Sequence, residues 1–144
     1  MEIMKFASTP PILATPETTV FQALSLMAEK NMGAIVIAGS DQKLLGIFTE
    51  RDNMIRMSLK SRDPKTTTVA EVMTSPVDSI DPEMTPIKAM EHMLTHGYRH
   101  LPIVDKDKRI LAVVSLRHLL THRMRQQDHN LDILAAYLEA GGPG

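Results

Sequence analysis

The sequence predicts an α+β fold made of two copies of one small unit. Two observations support this prediction: the chain repeats itself at an interval of 66 residues, and within each copy the apolar spacing changes from helical to strand-like and back. A chain of 144 residues can bury the core of one compact domain, whereas a single copy of about sixty residues would be marginal alone. We therefore expect the two copies to pack on each other.

The repeat keeps one register along both copies and needs no gap. Identical residues recur as Pro16-Glu17 and Pro82-Glu83, Thr19 and Thr85, Ala23 and Ala89, Met27 and Met93, Asp41 and Asp107, Leu45 and Leu111, and Arg51 and Arg117. Conservative pairs, such as Thr49 with Ser115, follow the same register. Each position of one copy therefore has an equivalent in the other.

The first copy predicts a helix, two strands and a second helix. Thr18 or Thr19 can cap a helix whose apolar residues recur at three- and four-residue spacing, which is typical of one buried face. Residues 35–37 and 44–48 predict two strands, both apolar enough to be covered on each face. A second helix is expected over residues 50–57.

The second copy predicts the same order of elements. Pro86 suits the first turn of a helix, and Gly97 stands where that helix should end. Strands are expected over residues 101–104 and 109–114. The methionines at helical spacing, Met27 in the first copy and Met90 and Met93 here, are expected in the core, since flexible thioether chains fill irregular gaps.

These elements predict the domain boundaries. The first repeat covers residues 1–60, a linker covers 61–68, and the second repeat covers 69–125. The linker begins at Ser61 and contains Asp-Pro and three threonines, which favour a connection over a regular element. Residues 126–144 are expected to form a helical extension with several leucines and a flexible tail.

Composition excludes several classes of protein. The 16 Lys and Arg residues against 17 Asp and Glu residues give a net charge of -1, so no global positive field attracts nucleic acid or an acidic membrane. The absence of cysteine excludes disulfides, thiol nucleophiles and thiolate metal sites. No window approaches the ~20 apolar residues of a membrane span. We expect a soluble, cytoplasmic protein.

The two copies resemble a tandem pair of CBS domains, also called a Bateman module, over about residues 6 to 125. The resemblance rests on ATPETTVFQALSLMAEKNMGAIVIAGSDQKLLGIFTERDNM in the first copy and EVMTSPVDSIDPEMTPIKAMEHMLTHGYRHLPIVDKDKRILAVVSLRHLL in the second. It implies a three-stranded sheet with two helices in each copy, packed around a pseudo-twofold axis. It further implies a regulatory module that binds an adenine nucleotide or a related adenosyl cofactor in clefts between the copies.

The resemblance also indicates partners. AMP, ADP, ATP, NAD and S-adenosylmethionine are the candidate ligands, and no metal is expected. Two modules are expected to associate as a homodimer. Because the chain shows no output domain, a stand-alone module would pass its signal to a separate effector protein, whose identity the sequence does not give.

The stretch GIFTERD in the first copy matches the family's ligand pattern at Gly46, Thr49 and Asp52. Free backbone N–H groups and the Thr49 hydroxyl could meet phosphate, because a helix N-terminus favours anions. The two oxygens of Asp52 suit the vicinal hydroxyls of a ribose, and the neighbouring Arg51 is included among the predicted contacts. The alternative is purely structural, since Thr49 and Asp52 also approximate a capping box.

The second copy departs from this pattern. Ala112, Ser115 and His118 stand at the equivalent positions, and a neutral imidazole cannot accept hydrogen bonds from both ribose hydroxyls. The cap is preserved and the carboxylate is lost. An empty cleft in a structural dimerisation module is therefore an alternative function.

A second set of candidate contacts precedes the first strand of this copy. Arg99 and His100 form a basic pair that the first copy lacks, and in similar modules a basic residue here reaches ligand phosphates. Tyr98 could stack on an adenine. The alternatives are a surface arginine paired with a carboxylate and a tyrosine that only borders the strands.

A metal site and an enzyme active site are less well supported by the sequence. His92 and His96, like His118 and His122, are four residues apart and could share a zinc ion, but a third ligand is missing, so a solvated helix face is favoured. No nucleophile–base constellation, phosphate-loop lysine motif or GxGxxG motif is present, so the sequence does not indicate an enzyme.

Overall fold

The structure is a computed structural model that describes residues 2–127 and 138–139. It divides into two compact units. The first-repeat unit consists of Pro11–Asp78 and Asp105–Ile110. The second-repeat unit contains residues 2–10, Ser79–Val104 and residues 111–127.

The structure contains both helices and strands, which confirms the predicted α+β class. In chain order the strands are β1 (Ala7–Ser8), β2 (Leu13–Ala14), β3 (Ala34–Ala38), β4 (Leu44–Thr49), β5 (His100–Val104) and β6 (Ile110–Ser115). The α-helices are α1 (Val20–Glu29), α2 (Glu50–Asp52), α3 (Val69–Val72), α4 (Pro86–His96) and α5 (Leu116–Gln127). Short 3-10 helices cover Glu2–Phe6 and Ser58–Lys60, and a π-helical turn covers Asn53–Met57.

The first-repeat unit contains a three-stranded sheet in the order β2-β3-β4. β2 runs parallel to β3, and β3 runs antiparallel to β4 with Ile35 opposite Phe48. Every residue of β3 is buried, as predicted for a strand covered on both faces. The core of this unit consists of Ala14, Val20, Ala23, Met27, Ile35, Ile37, Phe48, Met57, Val69 and Val72.

The second-repeat unit contains the other three-stranded sheet, in the order β1-β6-β5. β1 runs antiparallel to β6, and Ala7 lies opposite Val114. The core consists of Ile3, Ile80, Ala89, Met90, Met93, Leu101, Ile103, Ala112, Val114 and Leu119. The burial of the two methionines confirms their expected place in the core.

Backbone geometry repeats with the sequence register. Asn31 after α1 and Gly97 after α4 both have a positive φ, 55° and 75°, as a left-handed residue that ends a helix does. Gln42 and Lys108 occupy equivalent turns, each with a φ of 67°. The two copies therefore share their turns as well as their apolar pattern.

The structure draws the unit boundary differently from the predicted one. Residues 2–10, expected in the first repeat, belong to the second-repeat unit, where Ser8 pairs with Val113. Residues 69–78, expected in the second repeat, belong to the first-repeat unit, where Thr74 pairs with Ile47. A two-residue or single-residue edge pairing has no periodicity, so the sequence could not assign these segments.

The predicted linker is a structural part of the first-repeat unit. The carbonyls of Thr67 and Pro64 accept hydrogen bonds from the N–H groups of Val20 and Phe21, at 2.8 and 2.9 Å. These N–H groups belong to the first turn of α1 and would otherwise lack partners in the helix. In α4 the first position is proline, which has no N–H to satisfy.

The predicted C-terminal extension lies mostly outside the described residues. α5 extends to Gln127, and residues 128–137 and 140–144 are outside the described part of the chain. Among the described residues, no helix is both long enough and apolar enough to cross a bilayer.

Candidate ligand-binding site

The stretch GIFTERD forms the junction between β4 and α2 in the first-repeat unit. Thr49 has an extended backbone, and its hydroxyl accepts a hydrogen bond from the N–H of Asp52 at 3.1 Å. The N–H of Thr49 donates in return to Oδ2 of Asp52 at 3.0 Å. The capping box, which was the structural alternative for this motif, is therefore formed.

Asp52 has further partners beyond the cap. Asp52 is buried, with 7% of its surface exposed. The hydroxyl of Thr74 donates a hydrogen bond to Oδ1 at 3.0 Å and lies 3.3 Å from Oδ2. Nε of Arg56 lies 3.8 Å from Oδ1, which is an ion-pair distance rather than a hydrogen bond. Two neutral donors thus hold this buried carboxylate, and the Arg56 guanidinium is a more distant cationic partner.

Most backbone N–H groups at this helix start are already used. The N–H of Glu50 donates to the carbonyl of Gly33 at 3.0 Å, and those of Thr49 and Asp52 serve the capping box. Three of the N–H groups expected to be free for a phosphate are therefore occupied within the protein. The Thr49 hydroxyl, which can still donate its own hydrogen, and the exposed Arg51 side chain are the groups that could meet an anion here.

Gly46 lies beneath the segment that follows α3. A β-carbon at this position would collide with the side chain of Met73, whose Cγ would be 2.9 Å away, and would lie 3.0 Å from the carbonyl oxygen of Thr74. Close packing thus explains the glycine at position 46 without any ligand. It allows residues 73–75 to approach β4 closely.

The segment from Val72 to Ser75 is attached to β4 and to the turn after α2. Backbone hydrogen bonds of 3.0 and 2.8 Å join Ile47 and Thr74, and the Ser75 hydroxyl donates to the carbonyl of Leu45 at 2.8 Å. Nη1 of Arg56 donates to the carbonyls of Val72 and Met73 at 3.2 and 2.8 Å, at the end of α3.

Sequence reasoning did not identify Thr74 or Arg56, and it expected a regular helix where a π-helical turn follows Asp52. One signal was available: the register of 66 residues aligns Thr74 with Ser8, another hydroxyl residue. No sequence pattern indicates that the Thr74 hydroxyl reaches a carboxylate 22 residues earlier in the chain.

The second-repeat unit has the equivalent helix start without the carboxylate. The N–H of His118 donates to the hydroxyl of Ser115 at 3.1 Å, so the cap predicted for this copy is present. The N–H of Leu116 donates to the carbonyl of Arg99 at 2.9 Å, as that of Glu50 does to Gly33. The predicted residues Arg99, Ser115 and His118 therefore lie near one helix start, where the His118 side chain is exposed.

Of the predicted basic pair Arg99 and His100, only Arg99 supplies a positive charge at neutral pH. Burial, reinforced by the positive charge of Arg99, lowers the pKa of His100 from its ordinary value of 6.5 to about 4. His100 is therefore neutral at neutral pH, while the exposed Arg99 remains charged. The ring of Tyr98 stacks on that of His96, with centroids 5.4 Å apart and planes 12° apart.

The histidines of α4 do not assemble a metal centre. The rings of His92 and His96 lie 4.4 Å apart, and Nδ1 of His96 is 2.9 Å from the carbonyl oxygen of His92. Within the described ranges, no group of three or more His, Cys, Asp or Glu residues could hold a metal ion.

The family model of the CBS domain matches residues 2–52 and residues 69–125, which together make up most of the chain. This chain belongs to the CBS-domain family. The two matches follow the two copies of the sequence repeat, so the predicted tandem pair of CBS domains is confirmed.

Curated relatives of this chain include CBS domain-containing proteins from a bacterium and a plant. The chain is 33% identical to the CBS domain-containing protein YhcV of Bacillus subtilis, covering 83% of this chain and 84% of that protein. It is 32% identical to a mitochondrial CBS domain-containing protein of Arabidopsis thaliana over 88% of this chain and 63% of that protein. A match to inosine-5'-monophosphate dehydrogenase of Methanocaldococcus jannaschii covers only 22% of the enzyme.

Solved structures of CBS proteins share the fold. A protein with CBS domains from Burkholderia ambifaria has a TM-score of 0.75 and 32% identity, covering 83% of this chain and 86% of that one. A CBS domain pair solved in complex with 5'-methylthioadenosine and S-adenosyl-L-methionine has a TM-score of 0.71, covers 81% of this chain and 94% of that one, and is 23% identical. The latter shows likeness of fold alone.

The predicted contacts are divided between the two CBS units. Gly46, Thr49, Arg51 and Asp52 lie in the first-repeat unit, and Tyr98, Arg99, His100, Ser115 and His118 lie in the second-repeat unit. Their part in ligand binding stays a prediction.

Proposed function

We propose that this chain is a regulatory module that binds an adenosine-containing ligand through the Thr49–Asp52 stretch of its first CBS repeat. The observation that carries the proposal is the Asp52 carboxylate, which is 7% exposed and is held by two neutral donors, with the Arg56 Nε atom 3.8 Å from Oδ1. A buried carboxylate is costly unless its charge is well compensated. The hydroxyl groups of a ribose would supply additional donors.

The ligand class follows from this carboxylate and from the family. A carboxylate has about four lone-pair sites, and Thr49 and Thr74 donate one hydrogen each, so capacity for vicinal hydroxyls remains. A CBS pair of the same fold was solved with two adenosyl compounds, which supports a ligand of this kind. The proposed ligands are AMP, ADP, ATP, NAD or S-adenosylmethionine.

The remaining predicted contacts have proposed roles that fit their exposure. The Thr49 hydroxyl and the exposed Arg51 face the anionic part of the ligand, since both can donate hydrogen bonds. In the second repeat, Arg99 and Ser115 offer comparable donors, and Tyr98, 36% exposed, offers a face for stacking. His100, being neutral, offers no fixed positive charge at neutral pH.

The proposed role is sensing rather than catalysis. The match to inosine-5'-monophosphate dehydrogenase covers 22% of that enzyme, whereas the match to YhcV covers 84% of a CBS domain-containing protein. Ligand binding would then act on self-association or on a separate effector protein.

A structural dimerisation module is the second candidate function. The complete capping box at Thr49 and Asp52 and the imidazole at position 118 both favour it, because each explains the motif without a ligand. The two functions differ in one measurable property, which is the binding of adenosine-containing compounds.

Isothermal titration calorimetry of the full chain with each proposed ligand tests the function. We expect saturable binding of at least one of them, with adenosine as a weaker ligand that lacks the phosphate contacts. Guanosine compounds serve as the matched control for the base. Absence of binding by every adenosine-containing compound, by a protein with a cooperative thermal transition, would contradict the proposal and favour the structural module.

A further inference from the structure

Thr74 connects the Asp52 carboxylate to the edge of the first-repeat sheet. Its backbone is fixed by two hydrogen bonds with Ile47, of 3.0 and 2.8 Å. From this fixed position its hydroxyl donates to Oδ1 of Asp52 at 3.0 Å, with Oδ2 at 3.3 Å. Through Thr74 the carboxylate is therefore held to the sheet as well as to the start of α2.

The contacts of Asp52 define the plane of its carboxylate. The final torsion of an aspartate is broad, so the plane of the group is fixed by its partners. The Thr49 N–H donates to Oδ2, and the Thr74 hydroxyl lies within hydrogen-bond distance of both oxygens. Without Thr74, only the cap and the longer Arg56 contact of 3.8 Å would orient the group.

We propose that Thr74 is a positioning residue that sets the preference of this site for ribose over deoxyribose. Its hydroxyl fixes the plane of the carboxylate, so the lone pairs that Thr49 and Thr74 leave unused keep one direction, which suits a pair of vicinal hydroxyls. A carboxylate that turns freely about its last torsion would meet one hydroxyl or the other and would gain less from the pair. This inference rests on the proposed function of Asp52.

A purely structural role for Thr74 makes a different prediction, and Ser75 supplies the control. The Ser75 hydroxyl attaches the same segment to the same strand through the carbonyl of Leu45, at 2.8 Å. Removing it should weaken the attachment of the segment without touching the hydrogen bonds of Asp52. A structural role for Thr74 would therefore make Thr74 and Ser75 variants behave alike.

The test compares AMP with 2'-deoxy-AMP, and ATP with 2'-deoxy-ATP, by calorimetry on the full chain. The wild type should prefer each ribonucleotide by about tenfold, the size expected for one hydrogen bond to a charged group. Thr74→Val, similar in shape but without the hydroxyl, should reduce this ratio towards one. Thr74→Ser should keep it, and Ser75→Ala should keep it while lowering the melting temperature.

Each other outcome overturns a specific statement. If Thr74→Val keeps the wild-type ratio of ribonucleotide to deoxyribonucleotide affinity, the positioning role is overturned. The same holds if Ser75→Ala loses this ratio to the same extent as Thr74→Val. Neither outcome affects the proposed binding of the ligand. Absence of binding by the wild type would overturn the proposed function together with this inference. If Thr74→Val does not fold, Thr74→Cys replaces it, because a thiol is a weak donor; a wild-type ratio in that variant would equally overturn the positioning role.

Discussion

The side chain of Met73 occupies the space in which a β-carbon on Gly46 would lie. The same relationship is relaxed in the second-repeat unit, where the equivalent residues are Ala7 and Ala112. There a small side chain replaces methionine, and a buried methyl group replaces glycine. The large side chain of Met73 therefore fits because position 46 is a glycine.

This relationship predicts a compensating pair of substitutions. Gly46→Ala should lower the free energy of unfolding by about 1–3 kcal/mol, the usual cost of overpacking a filled site. Adding Met73→Ala should recover part of that loss, because the double variant has the residues of the second repeat. Urea unfolding of the two single variants and the double variant gives the coupling energy. A double variant that loses the sum of both single losses would contradict this packing account.

Asp52 should affect both stability and ligand response. Asp52→Ala removes an acceptor from the Thr49 N–H and the Thr74 hydroxyl, so the ligand-free protein should lose about 1–3 kcal/mol, more than a single cap contact. A ligand at one hundred times its dissociation constant should stabilise the wild type by about 2.7 kcal/mol. Asp52→Ala should abolish most of this gain.

Asp52→Asn is the sharper variant for the same measurement. It keeps the shape and one carbonyl acceptor but loses the charge and the second acceptor, so ligand affinity should still fall. Thermal melts with and without AMP, ATP and NAD measure the response. A normal ligand-induced shift in both variants, with only the ligand-free stability reduced, would support the capping role alone.

His118→Asp should introduce the missing carboxylate in the second repeat. Ser115 already supplies the capping hydroxyl, and Ser8 stands at the position equivalent to Thr74. We expect an added or tighter site for an adenine nucleotide, measured as increased stoichiometry or affinity by calorimetry. His118→Asn, which lacks the charge, is the matched control. An unchanged titration for His118→Asp would show that equivalence in sequence does not make this position a ligand contact.

The lowered pKa of His100 predicts a loss of stability in mild acid. The unfolded chain binds a proton near pH 6.5 and the folded chain only near pH 4, so the unfolded state binds more protons between these values. Stability should therefore fall as pH decreases through this window, by about 1 kcal/mol between pH 7 and pH 5.5. Chemical unfolding at both pH values measures the change. His100→Gln should show a smaller dependence, and an identical dependence would contradict the prediction.

Self-association is a prediction from exposed apolar side chains. Phe21, Met54 and Leu59 in the first-repeat unit are 48%, 52% and 72% exposed, and Leu94 in the second-repeat unit is 65% exposed. Such side chains are often covered by a partner when they are close together. Light scattering at micromolar concentration should give twice the mass of one chain. A monomer that persists at high concentration would contradict the expected homodimer.

Local patterns in the sequence were sufficient to predict the repeat, the class of fold and most element positions. Apolar spacing located α1, and apolar runs located β3 and β4, because burial of one helix face or of most of a strand leaves a local pattern. Hydroxyl residues at positions 19, 49 and 115 marked helix starts, because capping is a contact over three residues. Such features require no knowledge of distant contacts.

The contacts that hold the site, in contrast, join segments that are distant in the sequence. The edge pairings of Ser8 and Thr74, the close approach of Met73 to Gly46 and the neutral state of His100 depend on residues far apart in the chain or on burial. The sequence identified the motif at Thr49 and Asp52, but it did not show that the Thr74 hydroxyl binds the Asp52 carboxylate. A hydrogen bond between segments leaves no periodic trace in a sequence, since it is the fold that brings its donor and acceptor together.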